Sequence, residues 1–187
     1  MDANVEYLLK LLHSVLYDEP VPKMGPKVDW DSLITAAGMG EVITLLYKKL
    51  NELTGEDRPD EEKLQWLRDY SMTRGMQKLQ NYAMLSFVLK KAEERNIQVI
   101  VFKGPILGNL YPEPMMRASC DIDVYVEPKD LKAMEDLLLE LDFIKNEEHS
   151  KEVVPVYLYQ NRMMLEVHCC LYEDYTGKRI ELIIKMN

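Results

Sequence analysis

In residues 1–95 the apolar positions recur every three or four residues, the period of a helix that buries one side. We predict a first helix that ends before Pro20, two short helices over residues 29–37 and 42–50, and a long helix from Pro59 to about Arg95. Either Asp29 or Asp31 can cap the second helix. The stripe of the first helix consists of Val5, Leu8, Leu9, Leu12, Val15 and Leu16. The pattern therefore predicts a helical N-terminal lobe.

The long predicted helix carries a methionine-rich apolar stripe. Its members are Met72, Met76, Leu79, Ala83 and Phe87. Methionine adapts its shape to varied surfaces, so such a face can bind a partner protein. Apolar stripes more often join a helix to the core of its own domain. We predict that this face packs in the core, and a partner-binding surface is the alternative.

The pattern changes at Asn96, where β-branched apolar residues replace the helical stripe. We predict strands over residues 97–102, 121–126, 153–159 and 163–169, with a helix between the second and third strands that starts at Glu127-Pro128. The three residues 160–162 predict a hairpin connection. The fold class is therefore α+β, with a helical lobe in residues 1–95 and a β-sheet flanked by helices in residues 96–187.

Two acids alternate along the strand predicted over residues 121–126. Residues two apart on a strand point to the same face, so Asp121 and Asp123 share one face, with Cα atoms about 6.5–7 Å apart. The apolar residues Ile122, Val124 and Val126 fill the other face, so we expect the acidic face to look outward. A divalent cation such as Mg²⁺ would relieve the repulsion between the two carboxylates. The motif alone is equally consistent with a solvated acidic face on an edge strand.

The strand predicted over residues 163–169 offers a third carboxylate. Glu166 and His168 share one of its faces, and the apolar Met163, Leu165 and Val167 occupy the other. Three acids on two strands favour a metal site over a merely acidic surface.

Lys103, Gly104 and Pro105 connect the first predicted strand to a short apolar segment, residues 106–111. If Pro105 lies in the first turn of a helix, the free backbone N–H groups of that turn and the charge of Lys103 can hold a phosphate. Taken alone, these residues favour an ordinary strand-to-helix turn.

Composition and charge narrow the class of partner. The net charge of −9 argues against extended DNA binding, which needs clustered Lys and Arg. It is still compatible with a pocket that binds tRNA or a nucleotide. The sequence contains no uninterrupted run of about 18 apolar residues, which a membrane-spanning helix would require. The acidic start lacks the positive charge of a signal peptide, and three cysteines suit a reducing compartment. We therefore expect a soluble cytoplasmic protein.

Other chemistries fit the sequence less well. Cys120, His168, Cys169 and Cys170 lack the paired spacing of a zinc site, so we predict that the cysteines are small buried apolar residues. The chain also lacks a G-x-x-x-x-G-K-[ST] phosphate loop and a G-x-S-x-G nucleophile elbow.

Two segments, KGPILGNLYPEPMMRASCDIDVYV (103–126) and LEVHCCL (165–171), resemble the uncharacterised nucleotidyltransferase family of the DNA polymerase β-type nucleotidyltransferase superfamily. The order of apolar residues from Trp30 to Leu50 extends the resemblance over roughly residues 30–171. It implies a mixed sheet with a helix after the first strand, Asp-x-Asp on the second strand and a third acid on a later one. Relatives typically continue into further helices, so we expect residues 96–187 to be a domain shortened at its C-terminal end.

The resemblance also implies roles for individual residues. Asp121, Asp123 and Glu166 match the catalytic carboxylates that hold metal. Lys103, Gly104 and Arg117 match the phosphate-side elements, and the hydroxyl of Ser119 is expected to add a contact to the nucleotide. The implied cofactor is Mg²⁺, with Mn²⁺ as the alternative.

The implied reaction moves a nucleoside monophosphate from a nucleoside triphosphate (NTP) to a hydroxyl group on RNA, a protein or a small molecule. The superfamily also contains members that have lost activity. The alternative function is therefore a catalytically inactive domain that binds a protein partner through its helical lobe.

Overall fold

The computed structural model describes residues 2–118, 121–150 and 154–170. Two compact units make up the chain. The first comprises Met1–Leu85 and Lys103–Cys120, and the second comprises Ser86–Phe102 and Asp121–Asn187. The boundary expected between residues 95 and 96 stays a prediction.

The first unit is helical. Its helices are α1 (Ala3–Tyr17), α2 (Trp30–Met39), α3 (Ile43–Lys49), the larger part of α4 (Glu61–Glu94), and α5 (Gly104–Gly108). Aspartates start three of them, since Asp2, Asp29 and Asp60 each accept a backbone N–H of the first turn. The prediction of a cap at Asp29 is thus confirmed, and the long helix spans the predicted residues.

The core of the first unit lies among α1, α2, α3 and the start of α4. Leu8 and Val15 of the stripe predicted for α1 are buried there, but the buried face as a whole is rotated from the predicted one. Leu9 and Leu16 are about half exposed, whereas Leu11 is fully buried. The buried residues of α1 are Tyr7, Leu8, Leu11, Ser14 and Val15. Apolar residues cover two adjacent faces of this helix, so spacing alone did not select the buried one. Packing selects the face of Tyr7, whose hydroxyl donates to the Pro22 carbonyl at 3.0 Å.

The methionine-rich stripe of α4 is exposed, so the prediction that it packs in the core is wrong. Met72, Met76 and Leu79 are 54%, 60% and 57% exposed. The helix carries a second stripe, and that one is buried. Its members are Leu64, Leu67, Lys78, Leu85, Val88 and Ala92. A helix with two apolar stripes buries only the one that meets the core.

The second unit is built on a five-stranded sheet. Its strands are β1 (Val99–Phe102), β2 (Asp121–Val126), β3 (Ile144–Lys145), β4 (Val156–Tyr159) and β5 (Met163–His168), in the order β1-β2-β5-β4-β3. β2 and β5 run parallel and the other neighbours run antiparallel. The sheet is therefore mixed and the chain is α+β, as the sequence predicted.

Alternation along β2 and β5 places one face of each strand in the core. The apolar residues predicted for that face, Ile122, Val124, Val126, Met163, Leu165 and Val167, are all buried. Helix α6 (Leu131–Glu140) adds Met134, Leu137 and Leu138 to the buried set of this unit. The core thereby fixes which side chains of β2 and β5 point the other way.

The hairpin predicted at residues 160–162 joins β4 to β5. Gln160 and Asn161 both have positive φ, and the Arg162 N–H donates to the Tyr159 carbonyl at 3.0 Å. These are the features of a type I′ turn, whose twist matches that of the strands it joins.

None of the helices in the described part of the chain is both long and apolar enough to cross a bilayer.

Candidate metal centre

The second unit brings acidic residues from two strands into one row. β2 and β5 are parallel neighbours, and Asp123 lies directly opposite Glu166 in their register. On the other side of β2, Phe102 of β1 lies opposite Asp123. Asp121 lies one alternation earlier, opposite Met164. The sheet register therefore pairs the second acid of Asp-x-Asp with Glu166.

His168 completes a group of three potential metal ligands. Its Nε2 atom lies 3.0 Å from Asp123 Oδ1 and 3.5 Å from Glu166 Oε2. One ligand atom of each of the three residues lies within 4.8 Å of the other two. The Phe102 ring meets the imidazole edge-on, with ring centroids 5.0 Å apart, and so limits the rotation of that ring.

The group is more buried than the sequence suggested. Asp123 is 2% exposed and His168 is 5% exposed, whereas 26% of the Glu166 side chain reaches solvent. We expected the acidic face of β2 to look outward, and for Asp123 that expectation is wrong. Alternation separates the two faces of a strand but does not say what covers the second one.

The carboxylates of Asp123 and Glu166 lie close enough to repel each other, with one oxygen of each within 4.8 Å of the other. Oxygens 4.8 Å apart repel by about 3.5 kcal/mol at an effective dielectric constant of about 20, and closer oxygens repel more. A divalent cation offsets that repulsion, and carboxylate and imidazole are ordinary ligands for such ions. The donor set of Asp123, Glu166 and His168 therefore fits a divalent metal.

Asp121 is half-buried and is not among the three residues of this group, in the part of the chain that the structure describes. Its side chain is on the same face of β2 as that of Asp123. A metal-binding role for Asp121 stays a prediction.

The phosphate-side residues belong to the first unit. Lys103 has φ 49° and ψ −105°, a conformation that costs a non-glycine residue free energy. Gly104 is buried and starts α5, a helix of five residues rather than the longer one predicted. Arg117 Nη1 donates to the Gly104 carbonyl at 3.4 Å, so the structure brings these two predicted residues together. Ser119 and Cys120 lie outside the described residues.

Two polar side chains that the sequence reasoning missed hold the segment that carries Arg117. The Thr44 hydroxyl donates to the Met116 carbonyl at 2.5 Å, and the buried Lys78 ammonium donates to the Arg117 carbonyl. Lys78 lies on the buried stripe of α4, seven residues before Leu85 and therefore about two turns away on the same side. A lysine at a core position of a helix was the signal for this role.

The sequence reasoning also missed His168 as a site residue. Alternation alone places His168 on the face of Glu166, but the contact with Asp123 depends on the pairing of β2 with β5. Cys169 and Cys170 are half-buried rather than buried, and neither belongs to the group of metal ligands within the described ranges.

Comparison with known proteins identifies a family. A family model described as uncharacterised nucleotidyltransferase matches residues 26–185, which is most of the chain. No curated protein and no solved structure matches it. The chain therefore belongs to the uncharacterised nucleotidyltransferase family.

Proposed function

We propose that the protein is a metal-dependent nucleotidyltransferase, which moves a nucleoside monophosphate from an NTP to a hydroxyl acceptor. The observation that carries this proposal is the pairing of Asp123 with Glu166 on adjacent parallel strands, in a chain of this family. Asp123, Glu166 and the predicted ligand Asp121 are the carboxylates that would hold the metal.

The reaction forms one bond and breaks one. The acceptor oxygen attacks the α-phosphorus, the bond between the α-phosphorus and the bridging oxygen breaks, and pyrophosphate leaves. A bound divalent metal supplies positive charge for the phosphate oxygens and aligns donor and acceptor. Glu166 is the carboxylate with access to solvent, so it is the residue to accept the proton of the acceptor hydroxyl. Asp123 is buried, which suits a fixed ligand better than a proton carrier.

Binding of the nucleotide is proposed for four other residues. Lys103 and Arg117 offset negative charge on the departing pyrophosphate, since ammonium and guanidinium groups both bind phosphate oxygens. Gly104 contributes backbone close to the phosphates, and Ser119 contributes its hydroxyl. The contact of Arg117 with the Gly104 carbonyl is the structural observation that supports their joint assignment.

Isothermal titration tests the proposal. The full chain is titrated with non-hydrolysable ATP and GTP analogues, with and without Mg²⁺, and compared with the double variant Asp121→Asn/Asp123→Asn. We expect binding that depends on the metal and is lost in the double variant. The control Asp142→Asn makes the same chemical change at an exposed site and should bind as the wild type does. Absence of binding by all nucleotides in the wild type would contradict the proposal.

The alternative function, an inactive domain that binds a protein partner, is favoured by the exposed apolar row of α4. This row is the methionine-rich stripe, whose half-exposed members in the first unit include Met72, Met76 and Leu79. The test is the variant Met76→Glu/Leu79→Glu, compared with the acid double variant in cross-linking from cell extract. If the protein is an inactive interaction module, Met76→Glu/Leu79→Glu should lose the partner and the acid double variant should keep it. The wild-type chain should then bind no nucleotide.

A further inference from the structure

We propose that His168 is a direct ligand of the metal, and that its nitrogen makes the site select a transition-metal ion such as Mn²⁺ over Mg²⁺. This inference rests on the proposed function, because it concerns the same metal. It goes beyond the three carboxylates, which supply oxygen alone.

The Nε2 atom of His168 lies where a metal ligand would be. Both carboxylates approach the same nitrogen of His168, with Nε2 at 3.0 Å from Asp123 Oδ1 and 3.5 Å from Glu166 Oε2. Two ligands of an ion with bonds of about 2.1 Å are about 3.0 Å apart at a right angle and about 3.4 Å apart at the tetrahedral angle. The two separations at His168 match those of neighbouring ligands on one ion.

The fold also fixes the position of the imidazole. Leu165 and Val167 are fully buried, so Glu166 and His168 must point to the opposite face of β5. The edge-on Phe102 ring and the burial of His168 then restrict the imidazole to the side of Asp123. A ligand held in this way loses little conformational freedom when it binds.

A nitrogen ligand also changes which ion the site prefers. Mg²⁺ prefers oxygen ligands and keeps several waters, whereas imidazole is a better ligand for first-row transition-metal ions, among which Mn²⁺ binds most weakly. Replacing one oxygen ligand by nitrogen therefore raises the affinity for Mn²⁺ relative to Mg²⁺. Loss of a group that only supports a ligand already costs about 10–100-fold in metal affinity, so we expect loss of a direct nitrogen ligand to cost at least about tenfold.

A histidine that only positions Asp123 through a hydrogen bond has the same geometry without metal, so the test must detect nitrogen on the ion. The variant His168→Gln serves this purpose, because the glutamine amide reaches the position of Nε2 and can donate to Asp123 but offers oxygen to a metal. The matched control is His149→Gln, at an exposed position of the second unit.

The experiment adds Mn²⁺ alone to the full chain and records electron spin-echo modulation, together with Mn²⁺ and Mg²⁺ affinities. We expect ¹⁴N coupling in the wild type and in His149→Gln, its loss in His168→Gln, and a fall of at least tenfold in the ratio of Mn²⁺ to Mg²⁺ affinity. The wild-type spectrum decides the question even if His168→Gln fails to fold. Bound Mn²⁺ without ¹⁴N coupling, or coupling that persists in His168→Gln, overturns the role of His168 and leaves the proposed function standing. Absence of bound Mn²⁺ and Mg²⁺ in the wild type overturns both.

Discussion

The substitution Asp123→Asn distinguishes the destabilising repulsion between the two acids from their contribution to metal binding. The asparagine keeps the size of the side chain and its acceptor oxygen but removes one negative charge from the group. Without metal, the bond to His168 Nε2 loses its charged acceptor, which costs about 1 kcal/mol. The repulsion from Glu166 disappears, which restores about 3.5 kcal/mol for oxygens 4.8 Å apart. We therefore expect the metal-free variant to be more stable than the wild type by about 2.5 kcal/mol.

Addition of metal should reverse this order. A ligand that binds only the folded state stabilises it by about 2.7 kcal/mol at one hundred times its dissociation constant. The wild type should gain this amount, and Asp123→Asn should gain little because it has lost a charged ligand. The assay is urea unfolding in EDTA and in excess Mg²⁺ or Mn²⁺, with Asp142→Asn as the control that behaves as the wild type does. An equal gain in Asp123→Asn would refute the assignment of Asp123 as a ligand.

Substitutions at three further positions can be tested by unfolding and titration. Lys103→Gly should raise the free energy of unfolding by up to about 1 kcal/mol, because glycine tolerates the positive φ of this position, and it should weaken nucleotide binding. Lys103→Met should weaken nucleotide binding without this gain in stability. Leu165→Ala, beneath the site, should cost about 2–5 kcal/mol in urea unfolding, against less than about 0.5 kcal/mol for the exposed Ile144→Ala. The hydrogen bond from Lys145, at 3.1 Å, lowers the pKa of Glu135 below its ordinary value of 4.5. Because the pKa is lower in the folded state, ionised Glu135 stabilises the fold above pH 4.5 by roughly 0.5 kcal/mol, and this contribution is lost as the pH falls through the lowered pKa. Glu135→Gln should therefore lose less stability than the wild type between about pH 7 and pH 3.

Four of the five strands in the described residues were predictable because their pattern is local, whereas the two-residue strand β3 was not predicted. Alternation in residues 121–126 and 163–168 has a period of two, so it fixes which residues share a face without knowledge of the neighbours. Asp121 and Asp123 were found in this way, as were Glu166 and His168. The hairpin between β4 and β5 was equally local, since the turn requires only Gln160 and Asn161 at positive φ.

The errors arose where distant segments decide. Both α1 and α4 carry apolar residues on more than one face, and only packing determined that Leu11 is buried while Met76 is exposed. The burial of Asp123 and its contact with His168 follow from the parallel pairing of β2 with β5, strands about 40 residues apart in sequence. This pairing cannot be predicted from the sequence of either strand alone.

The most direct test of nucleotidyl transfer follows the phosphorus atom that moves. The protein is incubated with NTPs labelled at either the α- or the γ-phosphate, in Mg²⁺ or Mn²⁺, with cell extract separated into RNA, protein and small-molecule fractions. We predict that the α-label becomes attached to an acceptor in one fraction, with release of pyrophosphate, in the wild type and not in Asp121→Asn/Asp123→Asn. Transfer of the γ-label, equal α-labelling by the double variant, or no labelled product in any fraction would contradict it.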